Sequence, residues 1–153
     1  MGMSTDGQLC YGVRFDEGFE FPWADKDIED WWRDTILGFK PSIEIFDSNG
    51  EYLNGKRPSD EQIDAFFEER KAFSEKNKKL PVELVNYCSG DYPSYILAIP
   101  GSCKTANRGY PCIITDADMK VDAAAVEALR AFLKEFELTP EGEEGWYLSS
   151  YLG

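Results

Sequence analysis

The apolar residues of this chain come in short alternating runs grouped in pairs, and each pair leads into a stretch with helical spacing. That order constrains the fold more than any other feature. Leu9 to Phe15 places Tyr11, Val13 and Phe15 on one side of a strand. Asp16-Glu17-Gly18 is a turn signal, and Phe19, Phe21 and Trp23 then alternate again, so the pair reads as a hairpin. Pro22 puts the second arm at a sheet edge or ends it early. Ser42 to Asp47 alternates Ile43 and Ile45, turns at Ser48-Asn49-Gly50 and returns through Tyr52 and Leu53. Val82 to Cys88 and Ser94 to Ile99 are split by Ser89-Gly90-Asp91. Cys112 to Thr115 reads as a further strand after the connection Pro100 to Pro111, and Trp146 to Leu152 as the closing one.

Three helices punctuate these pairs. Asp25 or Asp27 caps the first, in which Ile28, Trp31, Trp32 and Ile36 recur at helical spacing until Gly38. Ser59 and Gln62 form a capping box for the second. Its stripe is Ile63, Phe66, Phe67, Arg70 and Phe73, it ends among Lys76, Lys78 and Lys79, and Pro81 stops it. Asp122 caps the third, whose stripe is Val126, Leu129, Phe132, Leu133 and Phe136. Helices separated by hairpins predict an α+β fold, with an antiparallel or mixed sheet and about three helices packed on it. Residues 1–8 read as a flexible N-terminal tail and residues 9–153 as a single domain.

Composition supports a folded chain: 42% of the 153 residues are hydrophobic. A domain of this size buries roughly 68–70% of its unfolded surface and needs no covalent staple. No apolar run is long enough for a membrane span. The first residues show no leader pattern, so a cytoplasmic setting with reduced thiols is expected. Cys10, Cys88, Cys103 and Cys112 form no CxxC pair. Cys10 and Cys88, in apolar runs, read as small core residues, whereas Cys103 and Cys112 flank a loop that can bring them together.

The chain has no histidine, which removes the Ser-His-Asp triad, the Cys-His dyad and every His-ligated metal site. No cofactor motif is present. The 29 acids and 16 bases leave a net charge of −13, which repels a phosphate backbone and an anionic membrane. The expected partner is instead a basic protein surface.

Two segments stand out as candidate sites. In the first, Asp25, Asp27, Glu29, Asp30 and Asp34 surround the adjacent pair Trp31-Trp32. Neighbours on a helix lie about 100° apart, so burying both tryptophans takes a wide apolar face; left exposed, they and the acids would make a partner-binding surface. In the second, residues 92–115 carry no acid, only Lys104 and Arg108. Ser102, Lys104, Asn107, Arg108 and Tyr110 there form a candidate loop site for a small anion or a partner's acid. Lys104 lacks the preceding glycine and the following helix of a phosphate-binding loop.

The composition therefore predicts a non-enzymatic, acidic protein-binding module. In its sharper form it is an inhibitor, an immunity protein or an anti-defence protein that occupies the nucleic-acid-binding surface of a basic partner. Two alternatives stand beside it. One is a divalent-metal-dependent carboxylate enzyme, with Asp116 and Asp118 or Asp25 and Asp27 as the paired acids. The other is an assembly protein that forms homo-oligomers through exposed tryptophans.

Overall fold

The computed structural model describes residues 5–152. It is an α+β structure with a five-stranded mixed sheet and three α-helices. In chain order these are β1 (Thr5–Phe15), α1 (Ile28–Trp31), α2 (Asp60–Lys76), β2 (Glu83–Ser89), β3 (Pro93–Ala98), β4 (Lys104–Ala106), α3 (Ala123–Glu135) and β5 (Gly145–Leu152). The chain divides into two compact units. The first comprises residues 1–24 and 81–153 and contains the sheet and α3. The second, residues 25–80, contains α1 and α2.

In the first unit the strand order is β3-β2-β5-β1-β4, and β1 also pairs with β3. The sheet thereby curls back on itself. β1 runs antiparallel to β5 from Thr5 to Gly12 and antiparallel to β3 from Gly12 to Phe15. A short parallel contact, Cys88 with Tyr151 and Ser89 with Leu152, completes the ring. Gly12 is where β1 is paired on both sides, with Ala98 and with Gly145. A Cβ built on Gly12 would lie 2.1 Å from the Leu97 carbonyl oxygen, so a side chain there is excluded by backbone.

Alternation along β1 sends residues to two cores. Cys10 packs with Ile96 and Ala98, bordered by Val85, Tyr87, Cys103 and Tyr147. Val13 and Phe15 belong to the other set. Phe15 meets Phe21 at 5.0 Å, Phe21 stacks on Trp23 at 4.7 Å, and Trp23 meets Phe132 of α3 at 6.3 Å. That chain of rings explains why Phe19 to Trp23 is not the second strand of a hairpin: Phe19 and Phe21 fold back onto Phe15, and Pro22 has no amide to offer a ladder.

Other expectations change in the same way. The predicted strand Cys112–Thr115 does not form; β4 forms earlier, at Lys104–Ala106, because Gly7 to Leu9 of β1 supply it with an edge. Residues 5–8 of the expected tail are thus strand, and Met1 to Ser4 lie outside the described residues. Cys88 is exposed rather than buried; its φ of 76° turns the end of β2. Cys103 is bonded to Cys10, 93 positions away, and not to Cys112, whose thiol is free and exposed. The expectation that all thiols are reduced is therefore corrected.

In the second unit the Asp27 side chain accepts the Glu29 amide at 2.9 Å and caps α1. The helix continues as a π-helical turn, Trp32–Ile36, and ends at Gly38 with φ of 70°. The expected hairpin at 42–53 is reduced to one bridge, Phe46 with Tyr52. Asp47 Oδ1 still organises its turn by accepting the Asn49 and Glu51 amides at 2.8 and 3.0 Å. α2 carries the expected capping box, with Ser59 Oγ accepting the Gln62 amide and Gln62 Oε1 accepting the Ser59 amide.

Candidate functional site

The acidic-aromatic segment separates on folding into a buried part and an exposed part. Trp31 and Trp32 are 5% and 6% exposed, and the Trp32 indole donates to the Lys78 carbonyl at 3.0 Å. A face built on these tryptophans is not available to a partner. The two rings sit where α1 passes into a π-helical turn, Trp31 closing the one and Trp32 opening the other. Asp25, Asp27 and Glu29 remain on the exposed side.

Asp30 and Asp34 take a different course. Arg33, its side chain only 13% exposed, grips Asp34 through Nε and Nη2 at 2.8 and 3.0 Å. Its Nη1 lies 3.0 Å from Asp30 Oδ1. Arg70 of α2 bonds the same Asp30 oxygen through Nη2. Two guanidinium groups thus converge on one carboxylate, that of Arg70 from 40 residues further along the chain. Each also lies over a ring, Arg33 at 5.9 Å from the Phe39 centroid and Arg70 at 6.0 Å from that of Phe67.

This network forms one wall of an open cleft of about 750 Å³ within the second unit. Phe39, Phe46, Phe66 and Phe67 give it apolar walls. Glu44 and Asp47 add acid at its rim. A second hollow of about 500 Å³ adjoins it across Phe46 and is bordered by Glu51 and Tyr52. The rings are mutually packed: Phe46 stacks on Tyr52 at 5.5 Å and meets Phe66 edge-on at 5.5 Å. The sequence contained one signal for this site. Arg70 interrupts the apolar stripe of α2, and a cation on such a stripe needs an anionic partner facing it. Which acid it meets was not legible.

The loop candidates do not converge. Ser102 is buried and its hydroxyl is spent on β1, accepting the Tyr11 amide at 3.2 Å and donating to the Tyr11 carbonyl at 3.4 Å. Lys104 lies in β4 with its ammonium 3.7 Å from Asp118. Asn107 accepts the Tyr110 amide through its carbonyl, and the Arg108 amide donates to Asp6. The Tyr110 side chain is 75% exposed. The positive island is thereby partly neutralised by acids outside its own stretch of sequence.

One acid of each proposed pair is likewise taken up by local structure. Asp118 accepts the Thr115 amide and hydroxyl at 2.9 and 3.0 Å, and these bonds, with Lys104 beside it, hold its carboxyl below the usual range. Asp27 is a helix cap. Among the described residues no group of three or more acidic or thiol side chains is placed to hold a metal ion. Among them, too, no helix is long and apolar enough to cross a membrane. Comparison of the chain with protein-family models, with curated proteins and with solved structures returns no match.

Proposed function

We propose that this protein is a non-enzymatic binding module whose acidic surface engages a basic surface on another protein. One observation carries the reading. The ion pairs formed among the described residues engage seven of the 29 carboxylates: those of Asp16, Asp30, Asp34, Asp60, Asp118, Glu127 and Glu144. The field of the rest is available to steer a cationic partner. Carboxylates, rather than tryptophans, are the contact chemistry, since Trp31 and Trp32 are buried. An inhibitor or immunity role is the specific form of this reading, with carboxylates occupying a surface built for phosphates.

A cytoplasmic setting belongs to the same proposal. The Cys10–Cys103 bond weighs against it, because disulfides persist in oxidising compartments and are rare in a reducing cytosol.

The test is to capture partners from native lysate, purify the main basic one and measure its affinity at rising salt. Between about 0.05 and 0.5 M salt the dissociation constant is expected to rise at least ~tenfold, because exposed charges are screened. A partner with a neutral surface, or an affinity that ignores salt, overturns the reading.

A further inference from the structure

We propose that the aromatic cleft of the second unit is the docking site for a cationic side chain, arginine or lysine, carried by the basic partner next to an apolar residue. The inference rests on the binding-module reading and adds where the partner is held and by what chemistry.

The charges lining the cleft favour a cation. Asp30 and Asp34 are offset by Arg33 and Arg70, and both guanidinium groups are already committed to those carboxylates. Glu44 and Asp47 at the rim have no such partner among the described cations, and Glu51 extends the acid into the adjoining hollow. The Asp47 carboxylate is further fixed in place by its two backbone bonds. An anionic ligand would meet this rim first and would have to displace Asp30 from Arg70.

The walls favour a cation with an apolar stem. Aromatic faces attract guanidinium and ammonium groups placed within about 6 Å of the ring centroid. The cleft already holds two such contacts, on Phe39 and Phe67. Phe46 and Tyr52, stacked at the junction of the two hollows, carry no intramolecular cation among the described residues. A space of about 750 Å³ lies within the usual range for pockets that bury most of a small ligand, so it holds one long side chain and its neighbour.

The experiment uses the full chain and a nine-residue peptide of alternating arginine and phenylalanine as probe. Binding is followed by calorimetry at about 0.05 M salt, where exposed charges are weakly screened. Glu44→Lys, which reverses charge at the rim on an exposed side chain, is expected to weaken binding ~tenfold. Glu44→Gln is expected to weaken it ~threefold. Glu135→Lys, an equal change of net charge on an exposed residue of α3, is expected to change it by less than ~twofold. Amide shifts of Phe46 and Gly50 should move on titration. If Glu44→Lys and Glu135→Lys weaken binding equally, the cleft is wrong and the acidic-surface reading stands. If the wild-type chain does not bind the peptide at all, the cleft proposal falls, and the acidic-surface reading is decided by the salt dependence of its captured partner.

Discussion

Arg130 of α3 and Glu144, the residue before β5, form a two-pronged ion pair, with Nε 3.0 Å from Oε1 and Nη2 2.8 Å from Oε2. The Tyr11 hydroxyl donates to the same carboxylate at 3.0 Å, so one acid ties α3 and β1 to the start of β5. The Arg130 bonds first, and then the Tyr11 hydroxyl, hold the Glu144 carboxyl below its ordinary range against the opposing effect of burial. Burial first, and then Glu144, raise the Tyr11 hydroxyl.

A carboxylate whose folded pKa is depressed contributes stability that is present above the unfolded value and lost as pH falls through the folded one. Acid unfolding should therefore draw on Glu144 at and below about pH 4. Glu144→Gln is expected to cost about 1 kcal/mol at neutral pH, kept low because the Arg130 end is over half exposed and screened. Its denaturation free energy should also fall less steeply between about pH 5 and pH 3 than that of the wild type. Parallel pH profiles for the two proteins would contradict this account.

The Cys10–Cys103 bond closes a loop of 93 positions in the unfolded chain. Loop-closure entropy sets its contribution at about 4.6 kcal/mol. Reduction is expected to lower the melting temperature markedly, and the Cys10→Ala, Cys103→Ala double variant should melt near the reduced wild type. Thiol titration in denaturant should count Cys88 and Cys112 before reduction and all four cysteines after it. Four reactive thiols without reductant would show that the bond is absent.

At Gly12 the smallest side chain is excluded: the added Cβ meets the Leu97 oxygen at 2.1 Å and the Ala98 Cα at 2.7 Å. Both are backbone atoms in a paired strand and cannot move aside without breaking the β1–β3 ladder. Gly12→Ala is expected to cost about 3 kcal/mol or more, at the upper end of overpacking effects. Chemical denaturation checks it, with Gly7→Ala as a comparison, because a Cβ there meets nothing nearer than 4.0 Å.

Ser59→Ala removes one half of the α2 capping box and is expected to cost about 1 kcal/mol. Ser59→Asp should recover most of it, since aspartate also accepts the Gln62 amide and suits the helix N-terminus. Equal stability of the alanine variant and the wild type would mean that α2 does not depend on its cap.

The sequence by itself determined what acts within a few residues. The Ser59–Gln62 box, the Asp122 cap, the choice of Asp25 or Asp27 as the first cap, the alternation of β1 and the places of β2, β3 and β5 were legible because each depends on groups a few positions away. The acid excess was legible too, since net charge needs no coordinates. Tertiary structure decided the rest. Cys103 pairs with Cys10 rather than remaining reduced because the ring of strands brings them to one side of β1. Lys104 to Ala106 became a strand only because Gly7 to Leu9 offered an edge. Arg33 and Arg70 meet at Asp30 from two helical segments whose spacing along the chain carries no sign of the other. Local signals report the cost of a backbone conformation, whereas partners tens of residues apart are chosen by which buried charges and apolar surfaces the packed chain brings together.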